Sequence, residues 1–236
     1  MGKNVLVISA HAVDFVWRAG GTIAQYAGNG NRVKIIDLTF GQRGESQSVW
    51  KNHPGISEEE VAGVRRKEAQ ATADILGAEI VFYNWKDHLL LLDREMIERI
   101  SADIMEFQPD IVLTHSASDP LNQDHDNADR AVLAALRGAN VSGVFPDKTP
   151  TKQVEVYTFE PDEPDVSDFH PDIYIDITDS FETKLAAMQA VPSQTFMVAD
   201  YTIRSQYRGA LAKRFVPGIK YAEAFQRVTP LVAKRF

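Results

Sequence analysis

A histidine and an aspartate stand three residues apart near the start of the chain, where a strand pattern gives way to a helix pattern. Val5 to Ser9 is an apolar, partly β-branched run typical of a buried strand, and the segment after Phe15 has helical spacing. His11 and Asp14 lie between them, at the carboxyl edge of the predicted sheet, where open α/β folds bind ligands. The pair suits a metal; alternatively, His11 ends the strand and Asp14 caps the helix, as aspartate commonly does.

Further candidate ligands follow a later strand. His115 ends the strand predicted from Asp110, and His125 opens the helix predicted from Asp124. If strands one and four are neighbours, His11 and Asp14 come within reach of Asp124 and His125. Two imidazoles and a carboxylate suit zinc, although Fe(II) uses the same ligand types. Asp124 could instead orient an imidazole, and any one of these histidines alone is more often structural.

Strand and helix patterns alternate along the first half of the chain. This order is typical of a doubly wound parallel sheet. We therefore predict one α/β domain over residues 1–236, with a Rossmann-like, mostly parallel sheet and helices on both faces. Thr39 to Gly55 is predicted to be a long loop, and Ser57 to Glu60 a capping box whose helix ends at Gly77. Later strands are predicted at 153–159 and 173–177, and later helices at 180–190 and 201–214.

The composition limits the classes of partner. The 236 residues carry a formal net charge of −8, so the average field does not attract nucleic acid or an anionic membrane. The chain has no cysteine, which excludes disulfides, a thiolate nucleophile and a cysteine-ligated zinc site. The sequence shows no signal-peptide pattern, and its apolar runs are far shorter than the roughly 18 residues of a membrane span. We expect a cytoplasmic protein.

Five motifs follow one another along the chain: AHAVD at 10–14, RRKE at 65–68 before Leu76-Gly77, Thr114-His115, NQDH at 122–125 and YAEAF at 221–225. In this order they resemble the LmbE/PIG-L superfamily of zinc-dependent amide hydrolases over essentially the full chain. That family has a strand followed by A-H-P-D-D, an R-x-x-E helix before L-G, a strand ending in T-H, then H-x-D-H, and a further block near its end. The resemblance implies that His11, Asp14 and His125 bind zinc and that the protein is a homo-oligomer.

Two positions depart from the family pattern. In family deacetylases the first acid of the D-D pair is the general base, and the first histidine of H-x-D-H helps to hold the oxyanion. These positions are Val13 and Asn122 here. Valine cannot accept a proton, and the loss of a general base costs roughly 10²- to 10⁴-fold in rate. Ordinary deacetylation would therefore need another base.

The altered opening continues as DFVWRAGG at 14–21, and Gly44-Glu45-Ser46 follows in the next loop. These segments are similar to one branch of the superfamily, the 4-oxalomesaconate hydratases of aromatic-acid catabolism. Such enzymes add water to a carbon–carbon double bond conjugated to carbonyl groups, which requires a base for water and positive charge for the enolate. A substrate with several carboxylates also requires cations, and arginine binds carboxylates bidentately. The candidate substrate-binding residues are Arg43, Arg65, Arg66, Asn122, Arg204 and Arg208, the last two of which could equally form a solvated helix face.

Glu45, Asp124 and His170 are the candidate catalytic groups. Glu45 lies in a glycine-flanked loop after strand two and could close over the site as a base, or it is an exposed loop acid. His170 could protonate the enolate carbon, or it packs before the strand that follows it. Asp87 and His88 follow strand three and either line the pocket or lie on the surface.

Together with these residues, the resemblance implies a metal-dependent hydratase of a small unsaturated oxo-carboxylic acid, using zinc, Fe²⁺ or another divalent ion. The alternative is a zinc-dependent N-deacetylase or amidase of an N-acetyl sugar or a related small amide, with Glu45 or Asp124 as its base. A third possibility is a sugar- or metal-binding module that has lost catalysis. Assays for hydration of 4-oxalomesaconate and for acetate release separate the first two, and bound metal without turnover would support the third.

Overall fold

Alternate side chains of the first strand, β1 (Asn4–His11), enter two different apolar layers. The computed structural model describes residues 2–117 and 119–233. Val5 and Val7 pack in one layer, whereas Leu6 and Ile8 pack in the other. The strand is buried on both faces, which is the arrangement expected of a parallel sheet between two layers of helices.

The helices and strands follow one another in the order that places a helix between most parallel strands. After β1 the described elements are α1 (Asp14–Gly28), β2 (Arg32–Thr39), α2 (Gln47–Asn52), α3 (Glu58–Leu76), β3 (Glu79–Trp85), α4 (Arg94–Phe107), β4 (Ile111–Thr114), α5 (Gln123–Asn140), β5 (Glu155–Phe159), β6 (Ile173–Asp176), α6 (Phe181–Gln189), α7 (Met197–Ala212) and β7 (Ala222–Arg227).

The strand order explains how distant parts of the chain meet. The described strands form one seven-stranded sheet in the order β3-β2-β1-β4-β5-β7-β6. The first five of these are parallel, and β7 is antiparallel to both of its neighbours. The predicted α/β fold is confirmed, and so is the adjacency of strands one and four. The strand order reverses direction between β1 and β4, so the crevice at their carboxyl ends is the topological switch point of the sheet.

The two helical layers contain different sets of apolar residues. Residues of α1, α3 and α6 pack with the layer of Val5, and residues of α4 and α5 pack with the layer of Leu6. No helix among the described residues is both long and apolar enough to span a membrane.

The local signals around α3 are confirmed. The Ser57 hydroxyl accepts a hydrogen bond from the Glu60 amide at 3.2 Å, and the Glu60 carboxylate accepts one from the Ser57 amide at 2.9 Å. Gly77 ends the helix with φ 74°, a left-handed conformation that glycine adopts without a steric penalty.

Two elements differ from the sequence prediction. The segment 39–55 is not entirely a loop, because α2 occupies Gln47–Asn52. The block at 221–225 contributes to a strand, β7, that was not predicted. Its residues, AEAFQR, contain no β-branched side chain, so the propensity signal for a strand is weak and the pairing with β5 and β6 decides its conformation.

Candidate metal centre

Three predicted ligands, His11, Asp14 and His125, meet above the switch point of the sheet. His11 is the last residue of β1, Asp14 the first residue of α1, and His125 lies in the first turn of α5. The Asp14 carboxylate oxygen Oδ2 lies 3.3 Å from His11 Nδ1 and 3.5 Å from His125 Nε2. One ligand atom from each residue lies within 4.8 Å of the other two, and all three residues are buried. Asp14 is not the helix N-cap, which is Val13, so the alternative capping role is wrong.

The hydrogen bonding of the two imidazoles fits a metal ion. His11 Nδ1 and His125 Nε2 are buried atoms without a hydrogen-bond partner, and both face the same Asp14 oxygen. An unpartnered buried polar atom is costly unless another group, such as a cation, satisfies it. Two histidines and one aspartate are a donor set that catalytic zinc and non-haem iron sites use. The residues present therefore fit a divalent metal.

A carboxylate orients each imidazole from its far side. Asp124 Oδ2 lies 3.1 Å from His11 Nε2, and Asp119 Oδ2 lies 2.8 Å from His125 Nδ1. Such partners fix the ring and its tautomer so that the opposite nitrogen faces the metal. Burial opposes a charge on His11, but the Asp124, Asp14 and Glu45 carboxylates outweigh it and raise the pKa of His11 well above its usual value. The same negative field attracts a cation.

Asp124 is held in this orienting position by the backbone. Its two carboxylate oxygens accept hydrogen bonds of 2.8 Å from the amides of His88 and Leu90. Burial opposes ionisation, but the hydrogen bonds to His11 and to these amides dominate and lower the pKa of Asp124 to about 2. Asp124 therefore orients His11, and this geometry contradicts its prediction as a general base.

A buried ion-pair chain holds Asp14 from behind. Arg18 donates to Asp14 Oδ1 at 2.8 Å and to Asp162 Oδ1 at 2.7 Å, and the Tyr201 hydroxyl also donates to Asp162 at 2.7 Å. Burial opposes the charge on Asp14, but Arg18, His125 and the neighbouring imidazoles hold the pKa of Asp14 well below its usual value. Asp14 is therefore a carboxylate, ready to bind a cation through Oδ2.

His115 lies against the centre but is not placed as a ligand. Its Nε2 accepts a hydrogen bond of 2.9 Å from the Ala10 amide, and its ring stacks on His125 with centroids 4.1 Å apart. Burial and the neighbouring His125 lower the pKa of His115 to about 3, so the ring is neutral. His115 therefore supports the ring of His125.

Glu45 lies on the metal-facing side of His11. Its Oε1 is 3.9 Å from His11 Nδ1 and accepts a hydrogen bond of 3.1 Å from the Asn122 side-chain amide. The Glu45 side chain is 31% exposed, so it can contact both the centre and an incoming molecule. Val13, by contrast, is 1% exposed and packs in an apolar layer. The structure thus brings the candidate base Glu45 to the site and pairs it with Asn122, the second departure from the family pattern.

Three of the predicted carboxylate-binding arginines are engaged elsewhere. Arg65 is completely buried and donates to the Ala12 carbonyl, Glu68, Ser193 and Gln194. Arg208 binds both carboxylate oxygens of Glu160, at 3.0 and 2.6 Å. Arg204 donates to the carbonyls of Pro161 and Asp162 at 2.6 and 2.7 Å. These contacts contradict the prediction that Arg65, Arg204 and Arg208 bind substrate, because their N–H groups already donate hydrogen bonds to other residues of the protein.

His170 is not part of the centre. It precedes β6, the outermost strand on its side of the sheet and three strands beyond β4. Its side chain is 80% exposed, and its Nε2 lies 3.3 Å from the equally exposed carboxylate of Asp168. This position contradicts its prediction as a proton donor, because β6 is remote from the switch point.

Asp119, Arg18, Asp162 and Tyr201 were not predicted as site residues. Asp14 and Arg18 stand four residues apart on a helix, a spacing that predicts their ion pair. Asp119 lies in a polar, turn-forming segment, and its sequence contains no pattern that indicates a functional role. Asp162 and Tyr201 come from separate elements, so no local pattern indicates their contact.

Comparisons with known proteins identify relatives of this chain. The PIG-L family, described as GlcNAc-PI de-N-acetylase, matches residues 6–136. A 4-oxalmesaconate hydratase of Pseudomonas putida KT2440 is 38% identical over 237 residues, covering 98% of this chain and 92% of its own. A diacetylchitobiose deacetylase of Thermococcus kodakarensis is 28% identical over 241 residues, covering 92% of this chain and 84% of its own.

A solved structure extends the likeness to three dimensions. The crystal structure of the 4-carboxy-2-hydroxymuconate hydratase from Pseudomonas putida KT2440 superposes with a TM-score of 0.96 at 38% identity and covers 99% of both chains. The family match spans more than half of this chain and contains His11, Asp14 and His125. Sequence motifs, fold and comparisons lead to the same conclusion: this chain belongs to the PIG-L family.

Proposed function

We propose that this chain is a hydratase that adds water to a carbon–carbon double bond of a small unsaturated oxo-carboxylic acid. The observation that carries the proposal is the position of Glu45 beside the metal-facing atom of His11, where Val13 supplies no base. The relative and the solved structure that are each 38% identical over nearly the whole chain are both described as hydratases, which supports this reaction class. By analogy with the first of them, the substrate is 4-oxalomesaconate or a close relative.

We propose zinc as the metal, with Fe²⁺ as the alternative for the same ligand set. His11 Nδ1, Asp14 Oδ2 and His125 Nε2 are the atoms that would hold it. When bound, a divalent ion supplies Lewis acidity to oxygen atoms on the open side of the site. Asp124 and Asp119 fix the rings, and Arg18 fixes the Asp14 carboxylate, so the ligands are preorganised before the ion binds.

Glu45 would act on the water molecule that is added. Hydration forms one bond from the water oxygen to one carbon and one bond from a proton to the other. Glu45 would take a proton from the water as the new carbon–oxygen bond forms, and this balances the proton that the second carbon gains. The hydrogen bond from Asn122 holds one Glu45 oxygen in place, which leaves the other oxygen available for the proton.

Substitution of Glu45 by glutamine tests this role. We expect kcat for hydration of 4-oxalomesaconate, followed by loss of enone absorbance, to fall by about 10²- to 10⁴-fold because the general base is lost. Metal content should not change, since Glu45 is not among the three ligands. Glu59→Gln, an exposed acid of α3, is the matched control and should retain wild-type activity. An unchanged kcat in Glu45→Gln would refute the role of Glu45.

The family description favours a second candidate, a zinc-dependent deacetylase or amidase. Asp124 is engaged with His11 and two backbone amides, so Glu45 would have to be the base for this reaction as well. Release of acetate from N-acetylglucosaminyl substrates by the wild-type protein, without hydration of 4-oxalomesaconate, would overturn the hydratase proposal in favour of this one.

A further inference from the structure

His88 lies at the rim of the metal centre on a segment that the structure holds firmly. It follows β3, its side chain is exposed, and its backbone amide donates to Asp124 Oδ2 at 2.8 Å. The same oxygen contacts His11, so one carboxylate joins the His88 backbone to a metal ligand. His88 also has φ 49°, a conformation that costs a non-glycine residue energy and that is concentrated at functional sites.

The loop that carries Glu45 packs against the residues around His88. Asp87 Oδ2 accepts hydrogen bonds from the amides of Arg43 and Gly44, at 2.9 and 2.7 Å. A Cβ atom at Gly44 would lie 3.8 Å from His88 Cβ and 4.0 Å from His88 Nδ1. The imidazole therefore lies beside the loop that presents Glu45, and the His88 backbone contacts Asp124.

The rim offers two groups that can donate hydrogen bonds to an anion. The Arg43 side chain is 47% exposed, and its Nε lies 3.9 Å from the nearest Glu58 oxygen, a loose contact in comparison with that of Arg208. His88 is exposed, and no hydrogen bond to its ring is observed within the described part of the chain. Arg65, Arg204 and Arg208 hold protein groups, so Arg43 and His88 are the better donors for a ligand.

We propose that His88 and Arg43 form a subsite that binds a substrate carboxylate remote from the metal. This inference rests on the proposed function, because a hydratase of a polycarboxylic acid must hold a second carboxylate while the metal and Glu45 act on the double bond. His88 would donate one hydrogen bond from its ring and Arg43 up to two from its guanidinium group. The subsite selects substrates by the presence of this second carboxylate.

Binding of two unreactive carboxylates tests the subsite without turnover. Propane-1,2,3-tricarboxylate offers carboxylates for both the metal and the rim, whereas acetate offers one carboxylate for the metal. Calorimetry on the metal-loaded protein should show that His88→Ala and Arg43→Ala each weaken tricarboxylate binding about 10- to 100-fold, the worth of a hydrogen bond to a charged group. Acetate binding should not change in either variant.

Two further variants control for loss of structure. His170→Ala removes another exposed histidine, which lies far from the site, and should bind the tricarboxylate as the wild type does. His88→Gln keeps a side-chain N–H donor and should recover most of the affinity that His88→Ala loses. Wild-type tricarboxylate affinity in His88→Ala, or equal weakening of acetate and tricarboxylate, would overturn the subsite. A wild-type protein that prefers tricarboxylate but hydrates no enone would refute the proposed function and leave the subsite standing.

Discussion

Val13 separates two metal-ligand candidates and adopts a conformation that valine rarely has. Its φ of 71° is left-handed, which costs a β-branched residue about 1–3 kcal/mol. Its side chain is 1% exposed and packs in the same apolar layer as Phe15. The tight turn allows His11 and Asp14 to face one point, while the valine side chain keeps this position free of any proton acceptor.

Replacing Val13 with aspartate restores the acid that family deacetylases have at this position, but it leaves that acid in the apolar layer that surrounds Val13. We expect Val13→Asp to lower the free energy of unfolding by roughly 2 kcal/mol or more, because a carboxylate would be buried among apolar groups. We also expect no acetate release from N-acetylglucosaminyl substrates. Urea unfolding and the acetate assay check both expectations, with Val13→Ile as the apolar control. Acetate release at wild-type stability would show instead that the missing acid alone prevents deacetylation.

The two ring nitrogens of His125 have different surroundings. Nε2 is the candidate metal ligand and has no hydrogen-bond partner, whereas Asp119 contacts Nδ1. We expect His125→Ala to remove most of the metal measured by elemental analysis. Asp119→Asn should retain metal but lower its affinity about 10- to 100-fold in a chelator competition, because loss of an orienting partner has effects of this size.

His53→Ala, in which an exposed histidine outside the site is removed, controls for the loss of an imidazole and should bind metal normally. Full metal stoichiometry in His125→Ala would refute its ligand role. Unchanged affinity in Asp119→Asn would show that stacking on His115 alone orients the ring.

The site residues that could be predicted from the sequence are those next to a strand end or a helix start. His11 and Asp14 adjoin a strand end and a helix start, and His125 opens a helix, so each lies at the predicted sheet edge. Asp119 and Asp162 could not be predicted because their partners lie elsewhere in the sequence. Nothing in the sequence around either residue distinguishes it from a surface acid. The functional roles of all these residues stay predictions until variants are measured.

At the scale of elements, the segment after β5 shows how arginines can be misread from sequence. Arg204 and Arg208 lie on α7 and bind the backbone and side chain of residues 160–162. This contact fixes the segment that carries Asp162, the partner of Arg18. The sequence of a helix does not indicate which acid its arginine will contact. Neither the substrate-binding nor the solvated-face interpretation therefore predicted these internal hydrogen bonds.

The predictable elements were those whose amphipathic pattern and end signals agree. The helix α3 has a capping box at Ser57 and a left-handed glycine at its end, and both signals are local. The helix α2 has only six residues, too few for a reliable period, and Ser46 makes no side-chain cap. The strand β7 depends on its neighbours. Local chemistry thus predicted the parallel half of the sheet better than its antiparallel end.

At the scale of the molecule, one buried ion pair joins the end of the sheet to the helix that carries Asp14. Glu223 of β7 accepts hydrogen bonds from the amides of Gly21 and Thr22 in α1, at 2.9 and 2.8 Å. Lys184 of α6 donates to Glu223 at 2.6 Å and to the Trp17 carbonyl at 2.8 Å. Both charged side chains are almost completely buried.

Removal of one partner should therefore be costly. We expect Lys184→Met to lower the free energy of unfolding by about 3–5 kcal/mol, because it leaves the Glu223 carboxylate buried without its counter-ion. Lys3→Met, which breaks an exposed pair with Glu155 at 3.7 Å, is the matched control and should change stability by less than about 1 kcal/mol. Urea denaturation compares the two, and equal effects would show that the buried pair has no special role.

The position of β7 between β5 and β6 also has a consequence for biosynthesis. A ribosome delivers β6 before β7, and within the described residues β6 forms its ladder with β7 alone. In the nascent chain, β6 and the amides of Gly21 and Thr22 therefore cannot form these hydrogen bonds until β7 has been synthesised and has paired between β5 and β6. Completion of the sheet and bracing of the Asp14 helix are, in this topology, the same late event.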